Sequence, residues 1–279
     1  MKLFLKRAFF VAVYIFAAIG FFLVSGYFAV KYGLTNEKGI IDNSHQEFIQ
    51  AGIGSLQDKI KLSWTDSEEW QIFKTAAAKD TGVLVRVEGE TGVPRRLIVG
   101  ALATEQLRLF FTEREFFKQA FSPLKILGNQ SQFSWGVMGI KEETAVKIEK
   151  NLKDPTSPFY LGKEWEHTLD FKTNNPDEER YERLVNEHDH YYSYLYAALY
   201  FKEIEEQWQN AGFPIANRPE ILGTLFNIGF ENSKPNGHPD IGGAEISLNG
   251  EIWSFGSIAG AFYYSDELTN EFPIEGTLL

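Results

Sequence analysis

No cysteine occurs among the 279 residues, which excludes disulfides and thiolate metal centres and leaves the compartment open. Histidine is scarce, with five in the chain. His45, His167 and His238 are isolated; His188 and His190 stand two apart, where helical side chains point in different directions. A metal-binding pair would want i, i+4 spacing, so neither a metal nor a cofactor is expected. There is no glycine-rich phosphate loop and no Gly-x-Ser-x-Gly elbow, so the signatures of P-loop nucleotide enzymes and α/β-hydrolases are absent. Positive charge is also short: 27 Lys and Arg stand against 38 Asp and Glu, a formal −11. No basic patch interleaves with aromatics, which argues against a nucleic-acid partner.

One long stretch lacks charge of either sign. Ala8 to Val30, AFFVAVYIFAAIGFFLVSGYFAV, would span roughly 34 Å as a helix, enough for a bilayer core. Lys2, Lys6 and Arg7 precede it with no acidic residue. The positive-inside rule then keeps the N-terminus cytoplasmic and exports the rest. A retained single-pass anchor is expected; the rival is a cleaved leader, with Val24 and Gly26 as its small residues. The expected location is a bacterial cytoplasmic membrane with the C-terminal domain periplasmic or extracellular.

The chain as a whole has the composition of a globular protein, 44% hydrophobic and 23% charged. Three parts are expected: flank and anchor over 1–30, linker and first helix over 31–63, and a mainly α domain over 64–279. The stretch 44–60 reads as a helix opened by Ser44. Thr65 and Glu68 stand at capping-box spacing before another. VLVRVEGETG (83–92) is ambiguous: its β-branched residues suggest a strand, its position another helical turn or two. AEISLNGEIWSF (244–255) is the best hairpin signal, with Asn249-Gly250 as a type I′ pair. IAGAFYYSDELTNEF (258–272) reads as a closing helix. Residues 154–187 are polar and proline-containing, an insertion read either as a lid over a cleft or as a surface excursion.

The informative helix is LIVGALATEQLRLFF (97–111), entered at Pro94. Leu97, Ile98, Ala101, Leu102 and Leu109 fall on one face. Glu105 projects from that apolar stripe, with Gln106 beside it. A buried carboxylate needs a partner, a proton or a cleft. One reading pairs it with Arg108 or Arg114; the other makes it a general acid that keeps a proton among apolar walls.

Three blocks, TGVPRRLIVGALATEQ, GVMGIKEETA, and YLYAALYFKEIEEQWQNAG with ILGTLFNIGF, together resemble the lysozyme-like soluble lytic transglycosylases and goose-type lysozymes. The resemblance spans about residues 70–235 and implies a lysozyme-like fold. It implies that Glu105 is the catalytic glutamate, with Gln106, Gly136, Val137, Met138, Phe226 and Asn227 on the substrate side. This sequence departs from the family at three places: Gln106 stands where serine is usual, Gly139 where glutamine is, and Phe226 where tyrosine is. The implied activity is cleavage of the β-1,4 bond between N-acetylmuramic acid and N-acetylglucosamine in peptidoglycan. The single glutamate would protonate the glycosidic oxygen and then, as base, take the proton of the sugar's 6-hydroxyl as that oxygen closes a 1,6-anhydro ring. Hydrolysis would want a second acid, for which Asp240, Glu245 and Glu251 are the tail candidates. The alternative is a weak or inactive domain of the same kind that binds peptidoglycan or scaffolds a cell-envelope complex.

Overall fold

The structure, a computed structural model, describes residues 2–31, 39–45, 49, 62–111, 134–216 and 218–274. Among these the chain is mainly helical, with three short two-stranded antiparallel pairings. Helix α1 is Lys2–Lys31, 30 residues long. Its described apolar side chains are exposed, Phe16 at 74% and Phe22 at 68%. Among the described residues no helix is long and apolar enough to cross a membrane; within α1, side chains including those of Ala8, Ala12, Leu23 and Tyr27 lie outside that set.

Helix α2 is Glu68–Lys79, and its cap is Ser67, whose hydroxyl accepts from the Trp70 amide. The capping-box reading at Thr65 is therefore displaced by two residues: the Thr65 hydroxyl instead donates to the Leu62 carbonyl at 2.9 Å. The ambiguous segment is helical, α3 over Thr81–Thr91, ending at Gly92 in the left-handed region at φ 73°. Its β-branched residues gave no strand because Leu84, Val87 and Thr91 fall at helical spacing and are buried. The predicted helix over 44–60 lies almost wholly outside the described residues.

Helix α4, Arg95–Phe111, follows. The Pro94 carbonyl accepts from the Leu97 and Ile98 amides, so the proline stands just ahead of the first turn. Arg96 is fully buried and donates to the carbonyls of Phe262, Tyr263, Ser265, Glu267 and Phe272. Its planar fork thus takes up the orphan carbonyls at the end of the last helix, α9, Phe255–Tyr264. Strands β2, Ser134–Trp135, and β3, Ile140–Lys141, pair around a tight turn and lead into α5, Glu142–Asn151.

The region 154–187 holds a 3-10 turn at Lys163–Trp165 and helix α6, Pro176–Val185. Helix α7, Tyr191–Asn210, is the core element, buried almost continuously from Ser193 to Phe201. Helix α8, Pro219–Ile228, packs on α9. Strand β1, Ile40–Ile41, pairs with β4, Gly242–Gly243. The hairpin forms as read: β5, Glu245–Leu248, against β6, Glu251–Ser254, with Leu248 opposite Glu251. Asn249 at φ 51° and Gly250 at φ 85° supply the positive angles a type I′ turn requires. Ser254 and Ser257 then form a capping box that opens α9. Asp42 joins that cap, accepting from the Ser257 hydroxyl at 2.7 Å and the Ser254 amide at 3.1 Å.

Candidate active-site groove

Five parts of the chain, far apart in sequence, converge on one groove of about 880 Å³. Helix α4 contributes Glu105 and Arg108. The β2–β3 turn and α5 contribute Gly139, Thr144 and Lys147. Helix α7 supplies Tyr200, α8 ends in Phe226 and Asn227, and Gly39 to Ile41 with β4 complete the wall.

Glu105 is buried, with 3% of its surface exposed. Among the described residues it is the only buried carboxyl in the lining, because Glu143, Glu231 and Asp240 are all exposed. The Arg108 guanidinium, one turn on along α4, donates a short hydrogen bond to Glu105 Oε1. The carboxylate therefore has the arginine partner that the sequence allowed. Gly139 makes room for this pair: a Cβ there would lie 2.2 Å from Glu105 Oε1, and the residue sits at φ +62°. A glutamine side chain at 139 could not coexist with the pair as it stands.

The implied substrate-side residues divide. Glu105, Phe226 and Asn227 line the groove; Gln106, Gly136, Val137 and Met138 are not in its lining. Gln106 donates from Nε2 to the Val137 carbonyl at 3.0 Å, tying α4 to the β2–β3 turn. Gly136 abuts α6, where a Cβ would meet the Leu184 carbonyl oxygen at 1.9 Å. Met138 is fully buried in the core. This second block shapes the groove from behind, and Gly139 is its member that reaches Glu105. Asn227 accepts from the Ala244 amide at 2.8 Å through Oδ1. Thr224, three residues earlier on the same face, accepts from the Gly242 amide at 3.0 Å. Together they fix β4 as the far wall.

Of the tail acids, Asp240 lines the groove, while Glu245 and Glu251 lie on the hairpin outside its lining. Tyr263 is buried and Tyr264 half-buried, and neither lines the groove. No residue of 154–187 lines it either, and Leu169, Arg180 and Leu184 of that segment are buried. It packs from outside, with Phe159 at 4.7 Å from Phe230 between ring centroids. His190 is taken by Asp80 at 2.7 Å, a tie between α7 and the α2–α3 corner.

Three contributors escaped the sequence reading. Tyr200 lies inside the third block, YLYAALYFKEIEEQWQNAG, but the resemblance singles out no residue of that helix. Thr224 acts through backbone contacts, which leave no spacing signal. Gly39 to Ile41 lie far upstream of every recognisable block. Formal charge in the lining balances: Arg108, Lys141, Lys147 and Lys234 face Glu105, Glu143, Glu231 and Asp240. A groove without net sign on a chain at −11 suits an uncharged polymer better than a polyion. Comparison with protein-family models, with curated proteins and with solved structures finds no match to this chain.

Proposed function

We propose that this chain is a membrane-anchored enzyme that cleaves the β-1,4-linked glycan strands of peptidoglycan, with Glu105 as its one acid–base group. The observation that carries the reading is the convergence of Glu105, Gly139, Phe226 and Asn227, from three distant blocks, on one charge-balanced groove. A glycosidic oxygen leaves only when protonated, and positive charge develops at the ring carbon. Arg108 occupies Oε1 and orients the carboxyl, so Oε2 is the oxygen that exchanges the proton with the leaving group. A single buried carboxyl favours ring closure by the sugar's own 6-hydroxyl over hydrolysis, which wants a second positioned acid. Helix α1, with its exposed apolar side chains and basic N-terminal flank, is the membrane anchor, and the domain beyond it is exported. A reporter active only in the cytoplasm, fused after Leu279, stays silent on this reading; activity there overturns the export.

The Glu105–Arg108 pair favours one second reading, in which the carboxylate is structural and the domain binds glycan strands without cutting them. Incubating the full chain in detergent with purified peptidoglycan decides between them. Cleavage with 1,6-anhydro ends is expected, reducing ends indicate hydrolysis, and binding without cleavage establishes the second reading.

A further inference from the structure

Ile41 stands apart from the rest of the groove wall. Five large apolar side chains outside α1 are exposed among the described residues, and Ile41, at 62%, is the most exposed of them and the one that lines the groove. The other large aliphatic side chains of the lining are buried or half-buried, and its other exposed residues are polar or glycine. The bareness is built into the strand pairing. Ile41 stands opposite Gly242, so the cross-strand position that would carry a packing partner has no side chain. A side chain there would not fit the strands as they lie, because a Cβ on Gly242 would come 2.2 Å from the Ile40 carbonyl oxygen. The strand is also held in place next to Ile41. The Asp42 amide donates to the Ile241 carbonyl at 2.8 Å, and the buried Asp42 carboxylate is tied into the cap of α9. Thr224 fixes the Gly242 amide from the other side. A stray exposed isoleucine on an open surface needs no explanation. On a fixed wall of a concave site with a polar rim, it is an apolar contact left open for a ligand.

We propose that Ile41 is a ligand-binding residue whose side chain packs against the apolar C–H face of a sugar ring in the groove. The assignment rests on the glycan-cleaving reading above. A pyranose ring with equatorial substituents presents axial C–H groups on its faces, so it covers an aliphatic side chain while its hydroxyls stay with the polar rim.

The chain has no cysteine, so Ile41→Cys in the full chain in detergent places a single thiol on the wall. Its alkylation by a maleimide is timed with and without a β-1,4-linked N-acetylglucosamine hexamer, at a concentration well above the variant's own Kd. Ile252→Cys is the control, since Ile252 is 54% exposed on the hairpin outside the lining. The expected result is alkylation slowed by the hexamer at 41 and unchanged at 252. Ile41→Ala should bind the hexamer about fivefold more weakly, the worth of covering part of an isoleucine side chain, with an unchanged Tm, and Ile41→Leu should keep most of the affinity. Alkylation at 41 that the hexamer does not slow, or slows no more than at 252, overturns the proposal. Wild-type affinity in Ile41→Ala overturns it as well. A wild-type chain that fails to bind the hexamer overturns the glycan reading itself, a failure visible before any variant is made.

Discussion

Replacing Glu105 by Gln is the perturbation in which structure and chemistry make separable demands. The substitution keeps size and hydrogen bonding but removes the transferable proton, so turnover should fall by about 100-fold or more. The sequence alone suggests that folding would hardly suffer. The Arg108 contact changes that expectation. Both side chains are buried, at 3% and 7% exposure, so neutralising one weakens the ion pair between them. Breaking one partner of a buried pair costs about 3–5 kcal/mol. Gln still accepts a hydrogen bond, so the cost should sit near the lower end, a fall in Tm of roughly 6–12 °C at this chain length. Glu105→Gln alone therefore cannot distinguish a catalytic from a structural carboxylate. The double variant Glu105→Gln, Arg108→Met does. Replacing a buried pair by neutral groups of similar volume is close to neutral for stability, so the Tm should recover most of the loss while turnover stays absent. Thermal unfolding and muropeptide release, measured on both single variants and the double, complete the cycle. Turnover that returns with stability in the double variant would refute the assignment of Glu105 as the acid.

Two further outcomes concern buried polar groups outside the groove. Arg96→Met removes a donor from each of five carbonyls at and beyond the end of α9; the expected cost is about 4 kcal/mol or more, read by urea unfolding, and a loss below about 1 kcal/mol would contradict the capping role. Glu203 is buried and its pKa is raised well above the usual carboxylate value, chiefly by desolvation. A raised folded-state pKa means the folded state holds the proton more tightly, so its contribution to stability is full below the unfolded value, about 4.3, and declines as pH rises through the folded one. Glu203→Gln should therefore raise Tm at pH 8 more than at pH 5, and an equal change at both would refute the assignment.

Features governed by local rules were legible in the sequence. The Asn249-Gly250 hairpin, the helix entered at Pro94 and the burial of Glu105 each follow from a few neighbouring residues. The cap of α2 shifted from Thr65 to Ser67 because two hydroxyl residues competed for the same turn and only one had the Trp70 amide within reach. The segment 83–92 went to helix because tertiary burial of Leu84 and Val87 outweighed β-branched propensity. The site was half legible. Glu105, Phe226 and Asn227 meet as the block order implied, yet Gly136, Val137 and Met138 serve from behind the wall. No spacing rule distinguishes a residue facing a groove from one supporting it. Tyr200, Thr224 and the strand at Ile40–Ile41 depend on long-range contacts, which a single sequence does not encode in any local pattern.

The central claim is that Glu105 drives cleavage of a β-1,4 glycan strand by intramolecular ring closure. The most direct measurement is mass analysis of the fragments released when the full chain in detergent acts on purified peptidoglycan, with the Glu105→Gln, Arg108→Met double variant alongside. The account predicts fragments ending in 1,6-anhydro-N-acetylmuramic acid from the wild type and essentially none from the variant. Equal release from both, or none from the wild type, would contradict it.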